Sequence, residues 1–183
     1  MISKKNSRRF HAVALAASLM MTGAAQAHGD KHEHGVVHLD VAIEGDTLAI
    51  QLESPLDSVL GFERQPRTPA ERQSVERMLA TLRGGAVLFT PDARGQCRFE
   101  EAQLESGLIA GPSTDNAANK SEHLDVDVSY RFRCAAASDL KTLSHQLFAL
   151  FPRIQRIDAQ VATPKGQSRQ VLQRPAATLS LGS

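Results

Sequence analysis

The sequence predicts an α+β fold: an antiparallel sheet of hairpins with two helices and one disulfide. Three observations predict it. Apolar and polar residues alternate over several short runs, the period of a half-buried strand. Two other stretches place apolar residues at helical spacing. The strands follow one another across turn signals instead of alternating singly with helices, which argues against a wound parallel sheet.

The first strand spans 36–44, with Val37, Leu39, Val41 and Ile43 on one face and His38, Asp40 and Glu44 on the other. Glu44-Gly45-Asp46-Thr47 is a turn signal, after which Leu48, Ile50 and Leu52 alternate again to complete a hairpin. Ser54-Pro55 ends the second strand, and a loop through Gly61 and Pro66 follows. Thr68-Pro69-Ala70-Glu71 starts a helix: Thr68 caps it, Pro69 takes the first position and Glu71 closes a capping box. Val75, Met78, Leu79 and Leu82 form its apolar stripe, and Gly84-Gly85 stops it.

Strands are expected at 86–90 and 97–105, with a turn from Pro91 to Gly95 between them. Residues 107–121, rich in Gly, Ser, Asn and Ala, read as a surface loop. The clearest strand is 123–134. Leu124, Val126, Val128, Tyr130, Phe132 and Cys134 share one face, and His123, Asp125, Asp127, Ser129, Arg131 and Arg133 the other. Ser138 is placed to cap a second helix over 139–151, ended by Pro152, with Leu140, Leu143, Leu147, Phe148 and Phe151 inward and His145 on its polar side in a structural role. Strands at 157–161 and 168–173 complete the set, and no repeat or linker divides the chain.

The N-terminus has the parts of a secretory signal over residues 1–27. Lys4, Lys5, Arg8 and Arg9 form the basic region, Ala12 to Met21 the apolar region, and Ala25-Gln26-Ala27 the small-x-small cleavage pattern. The apolar run is too short to span a bilayer. The mature chain, 28–183, is thus expected to be a single domain, soluble and periplasmic. Cleavage changes the formal net charge from +1 to −3. That balance, with no basic run and few aromatics, gives no ground for nucleic-acid binding. Cys97 and Cys134 are the chain's two cysteines. In an oxidising compartment a lone pair is most simply a disulfide, and a metal or redox pair lacks the close C-x-x-C spacing. The bridge closes a loop of about forty residues and contributes about 4 kcal/mol in the chain-entropy account.

The chemistry concentrates in histidine. His28, His32, His34 and His38 stand together behind the signal, and imidazole is the commonest transition-metal ligand. If the strand runs back toward the N-terminus, His32, His34 and His38 share the polar face at even positions. His123 and Asp125 lie on the polar face of another strand and can complete a tetrahedral nitrogen/oxygen site of the kind zinc favours. Copper is the alternative ion: cleavage frees an amine beside the His28 imidazole, and copper(II) outcompetes zinc for most nitrogen sites. Neutral imidazole is required for either metal, so binding is expected to weaken below about pH 6.5. No G-x-S-x-G, H-E-x-x-H or P-loop occurs, so no enzyme is expected. An envelope protein-interaction module with incidental metal binding is the competing reading from another class.

Several stretches carry a family resemblance: His32-Glu33-His34-Gly35-Val36-Val37-His38, Glu53-Ser54-Pro55 with Gly61-Phe62-Glu63, and Glu122-His123-Leu124-Asp125 running on to Cys134. With Leu147-Phe148 and Phe151-Pro152 they make the chain resemble the ZrgA-like family of periplasmic zinc-uptake proteins. The resemblance implies a zinc-binding accessory protein that assists zinc acquisition, beside an ABC-type importer or its binding protein, and implies no enzymatic activity. Members often carry a long His/Asp-rich insertion before the E-H-x-D segment. Here Gly107 to Ser121 holds that place and contains no histidine.

Overall fold

The structure, a computed structural model, describes residues 33–108 and 124–182. Strands β1 (Val36–Glu44) and β2 (Thr47–Pro55) form the expected hairpin, with His38 opposite Glu53 and Glu44 opposite Thr47. Val37, Leu39, Val41, Leu48, Ile50 and Leu52 are all buried, so the alternation in the sequence does mark one wet and one dry face. β5 (Asp125–Cys134) pairs with the far side of β2, and β4 (Cys97–Ser106) pairs with β5 through a bulge between Phe99 and Glu101. β7 (Arg156–Thr163) and β8 (Gly166–Gln173) extend the other side, giving the order β4-β5-β2-β1-β7-β8. Cys97 lies opposite Cys134 in this register, and the expected disulfide joins them.

The sheet is mixed, which corrects the antiparallel expectation. Every pair in it is antiparallel except β1 and β7, which run parallel. A strand's own residues show which face is dry, not which way its neighbour runs.

Helix α2 (Pro69–Arg83) begins as the sequence requires. The Thr68 side chain accepts from the Glu71 N–H, and Glu71 accepts from the Thr68 N–H, an N-cap arrangement that stabilises by about 1 kcal/mol. The second long helix is absent. Residues 137–151 form instead a 3-10 turn (Ala137–Asp139), strand β6 (Thr142–His145) and a single helical turn, Leu147–Leu150. Leu140, Leu143 and Leu147 fit helical spacing, but Leu143 and His145 also fit a strand's period of two. Pairing decides between them: β6 lies between β3 (Phe89–Pro91) and β9 (Thr178–Ser180) in a second, three-stranded sheet. The expected strand at 86–90 likewise shortens to β3, because residues 85–88 make one helical turn. Gly85 there does more than stop a helix. A Cβ at this position would lie 2.3 Å from Phe99 Cε2 and 2.8 Å from Tyr130 Cδ1.

The dry face of the six-stranded sheet and the second layer share one core. Leu82, Leu88, Phe89, Leu143, Leu147, Phe151 and Ile154 come from the second layer, and all are buried. The other sheet face meets solvent, as antiparallel sheets permit. Among the described residues no helix is long and apolar enough to cross a membrane.

Candidate metal centre

Of the expected ligands, His28, His32 and His123 lie outside the described residues, while His34, His38 and Asp125 lie within them. His34 sits on a turn, not on the strand. The Val36 N–H donates to Glu33 O at 3.1 Å, and Gly35 takes a left-handed conformation, φ +81°. A left-handed residue ends extended geometry. Val36 and Val37 are consequently both buried. The expectation that even positions from His38 back to His32 share one face therefore fails at Gly35.

The turn is firmly held. Gly35 N–H donates to the buried Ser58 Oγ at 2.9 Å, and Gly35 O accepts from the N–H groups of Gln155 (2.8 Å) and Arg156 (3.1 Å). Ser58 belongs to the short helix α1 (Leu56–Leu60) that follows β2. His34 is thus fixed against α1 and the loop after it.

Those two segments supply the neighbours of the ring. His34 Nε2 stands 3.2 Å from Glu63 Oε1, and Nδ1 stands 3.9 Å from Asp57 Oδ2. The imidazole is 59% exposed, while the carboxylates are only 18% (Asp57) and 10% (Glu63) exposed. Two donors bound to tetrahedral zinc at about 2.0–2.1 Å lie roughly 3.3 Å from each other, so the Nε2–Oε1 spacing suits a shared ion. A carboxylate facing the remaining ring nitrogen is the usual device for orienting a metal-binding imidazole. Asp57 stands on that side of the ring, beyond direct hydrogen-bond distance. Arg153 fixes it by bonding both carboxylate oxygens at 3.0 and 3.2 Å and the Asp57 carbonyl at 3.0 Å. The loop beside Glu63 is tied to α2, where Arg64 forms a double hydrogen bond with Glu71 at 2.6 and 3.2 Å. The Arg64 guanidinium, helped by the Arg67 and Thr68 N–H groups, pulls the Glu71 carboxyl down to about 2.

Sequence reasoning missed Asp57 and Glu63. Glu63 was visible only as part of a motif, Gly61-Phe62-Glu63, and nothing local tells that a loop acid faces a histidine nearly thirty residues earlier.

His38 lies elsewhere, exposed on the wet face of β1. Glu53 is directly opposite on β2 and Asp158 on β7. The row continues outward through Asp127 and Glu105. Burial raises the Asp127 carboxyl above its ordinary value of 3.8, and the neighbouring charges of Glu53 and Glu105 raise it further. β2 separates β1 from β5, so His38 and Asp125 do not meet; Asp125 is opposite Pro55. Among the described residues no three His, Cys, Asp or Glu side chains gather closely enough to hold an ion by themselves. Further donors must join His34 and Glu63.

His145 is in the core on β6, not on the polar side of a helix. Its Nδ1 accepts from the Leu147 N–H at 3.3 Å, and its ring meets Phe148 edge-on at 5.2 Å. An accepting Nδ1 is unprotonated, and burial lowers the ring's pKa below 6.5, against an opposing backbone contact at Ala176. This histidine is a neutral core residue.

Residues 31–181 match the family model described as ZrgA family zinc uptake protein. No curated protein matches the chain.

Proposed function

Because the chain belongs to the ZrgA family of zinc uptake proteins, we propose that it is a periplasmic zinc-binding accessory protein that takes up Zn²⁺ at the His34 turn and passes it to an importer of the ABC type. Zinc is cargo in this reading, not a structural ion, and no catalytic step is assigned. The observation that carries it is the 3.2 Å approach of His34 Nε2 to Glu63 Oε1. A neutral imidazole and a carboxylate are hard-to-borderline donors that suit zinc. Among the described residues His34 and Glu63 are the two donors that meet, and His32 and His28 just upstream in the chain, or His123, are the candidates for the remaining positions.

Radioactive zinc uptake tests the proposal. Cells lacking the chain are made zinc-poor and complemented either with the wild type or with His34→Ala plus Glu63→Gln. The wild type restores uptake, and the double variant, secreted at equal level, does not. Full uptake with the double variant would overturn the reading.

A further inference from the structure

The wet face of the six-stranded sheet is not flat. Its centre is an open trough of about 750 Å³. The trough has a sequence cause. Ala42 on β1 is opposite both Ala49 on β2 and Ala162 on β7, so three methyl groups in register floor the middle of a sheet whose neighbouring positions carry long side chains. The adjoining row is polar: Gln51, Asp40 and Gln160 stand side by side on the same three strands. Arg131 and Glu101 close one end, and Gln167 and Arg169 the other.

The charges in the trough are unequal in how they are satisfied. Arg131 is held by Glu101 at 3.0 Å, and Arg169 leans 3.8 Å from Asp158. Asp40 has no ion pair or hydrogen-bond partner among the described residues. One uncompensated carboxylate therefore stands beside an apolar floor. The amides around it are of two kinds. Gln51 Oε1 accepts from Ser129 Oγ, whereas Gln160 and Gln167 have side-chain amides with no partner among the described residues. A primary amide offers two N–H donors and an accepting oxygen, the complement of a peptide group.

We propose that this trough docks an extended, basic peptide segment of a partner polypeptide. The methyl floor receives the aliphatic stem of a lysine or arginine, a contact such stems make well. Asp40 pairs with its charged head, and Gln160 and Gln167 bond the peptide groups on either side. The volume lies within the range of about 300–1,000 Å³ usual for ligand sites. The proposal does not depend on the zinc reading, since the trough and the His34 turn share no residue.

The test is an NMR titration of the labelled full mature chain with acetyl-Ala-Lys-Ala-amide and, separately, with acetyl-Ala-Glu-Ala-amide. The lysine peptide is expected to shift the amides of β1, β2 and β7 around residues 40–51 and 160–162, and the glutamate peptide to leave them in place. Asp40→Asn weakens lysine-peptide binding about tenfold, and Ala42→Phe, which fills the trough from an exposed position, abolishes it. Both variants keep the wild-type melting temperature and zinc titration. Equal binding of the two peptides, shifts centred elsewhere, or full affinity in Asp40→Asn would each overturn the proposal. Should Ala42→Phe misfold, Asp40→Asn alone decides.

Discussion

His34 and His38 are four residues apart, yet the turn that carries one and the sheet face that carries the other treat an imidazole differently. On the sheet, His38 faces carboxylates on both sides, Glu53 and Asp158, in perfect register. Registered neighbours stand with Cα atoms about 4.5–5.5 Å apart and side chains nearly parallel. Among the described residues, though, His38 forms no ion pair with either carboxylate. The turn differs. Gly35 breaks the strand, and Asp57 and Glu63 reach His34 from outside the sheet, so Nε2 and Oε1 close to 3.2 Å. More acid surrounds His38, but better geometry surrounds His34. Charge density alone is a poor guide to where donors meet.

The sharpest way to break this comparison is to remove one ring at a time. His34→Ala is expected to weaken zinc binding about a hundredfold or more, read by competition calorimetry, since loss of a direct donor exceeds the roughly 10–100-fold typical of its supporting partners. Glu63→Gln keeps the shape but surrenders the anionic donor, and a loss near the upper end of that 10–100-fold range is expected in the same titration. Asp57→Asn leaves both donors and loosens the ring; about tenfold is expected, with zinc stoichiometry unchanged. His38→Ala changes affinity by less than about threefold, because exposed sheet positions contribute mainly long-range charge. An effect of His38→Ala as large as that of His34→Ala would erase the distinction.

A third histidine sharpens the contrast from the side of stability. The His145 pKa is lowered in the fold by burial, so between that lowered value and about 6.5 the unfolded chain binds the extra proton. Stability present above about pH 6.5 is therefore lost as pH falls through that window. The melting temperature of the metal-free protein should drop on acidification, and His145→Phe should flatten that part of the profile. An unchanged slope in His145→Phe would remove His145 from the account.

Much of the fold was legible in the sequence because it rests on local signals. The β1–β2 hairpin follows from alternation around Gly45, α2 from the Thr68–Glu71 capping box, and the dry face of β5 from Val126 to Cys134. What escaped depends on distant partners. Leu140, Leu143 and Leu147 suit a helix until β3 and β9 claim Thr142–His145 as the middle strand of a sheet. The parallel direction of β7 is a property of the pair, and no residue in 156–163 encodes it. At the centre the same division holds. His34 was readable as a candidate donor from its place in the histidine cluster. Its place off the strand was signalled only by Gly35, and Asp57 and Glu63 needed the fold, since α1 and its loop bring them back across the start of β1.

In the proposed function zinc meets the chain at the turn and not on the sheet face. Nitrogen-15 NMR of the histidine rings during zinc addition measures this most directly, because a coordinated ring nitrogen changes its chemical shift strongly. The account predicts that His34 Nε2 moves to its bound position in step with zinc, that His38 keeps its metal-free shifts, and that Glu63→Gln displaces the His34 response to higher zinc. A zinc-dependent change at His38 with His34 unmoved would contradict it.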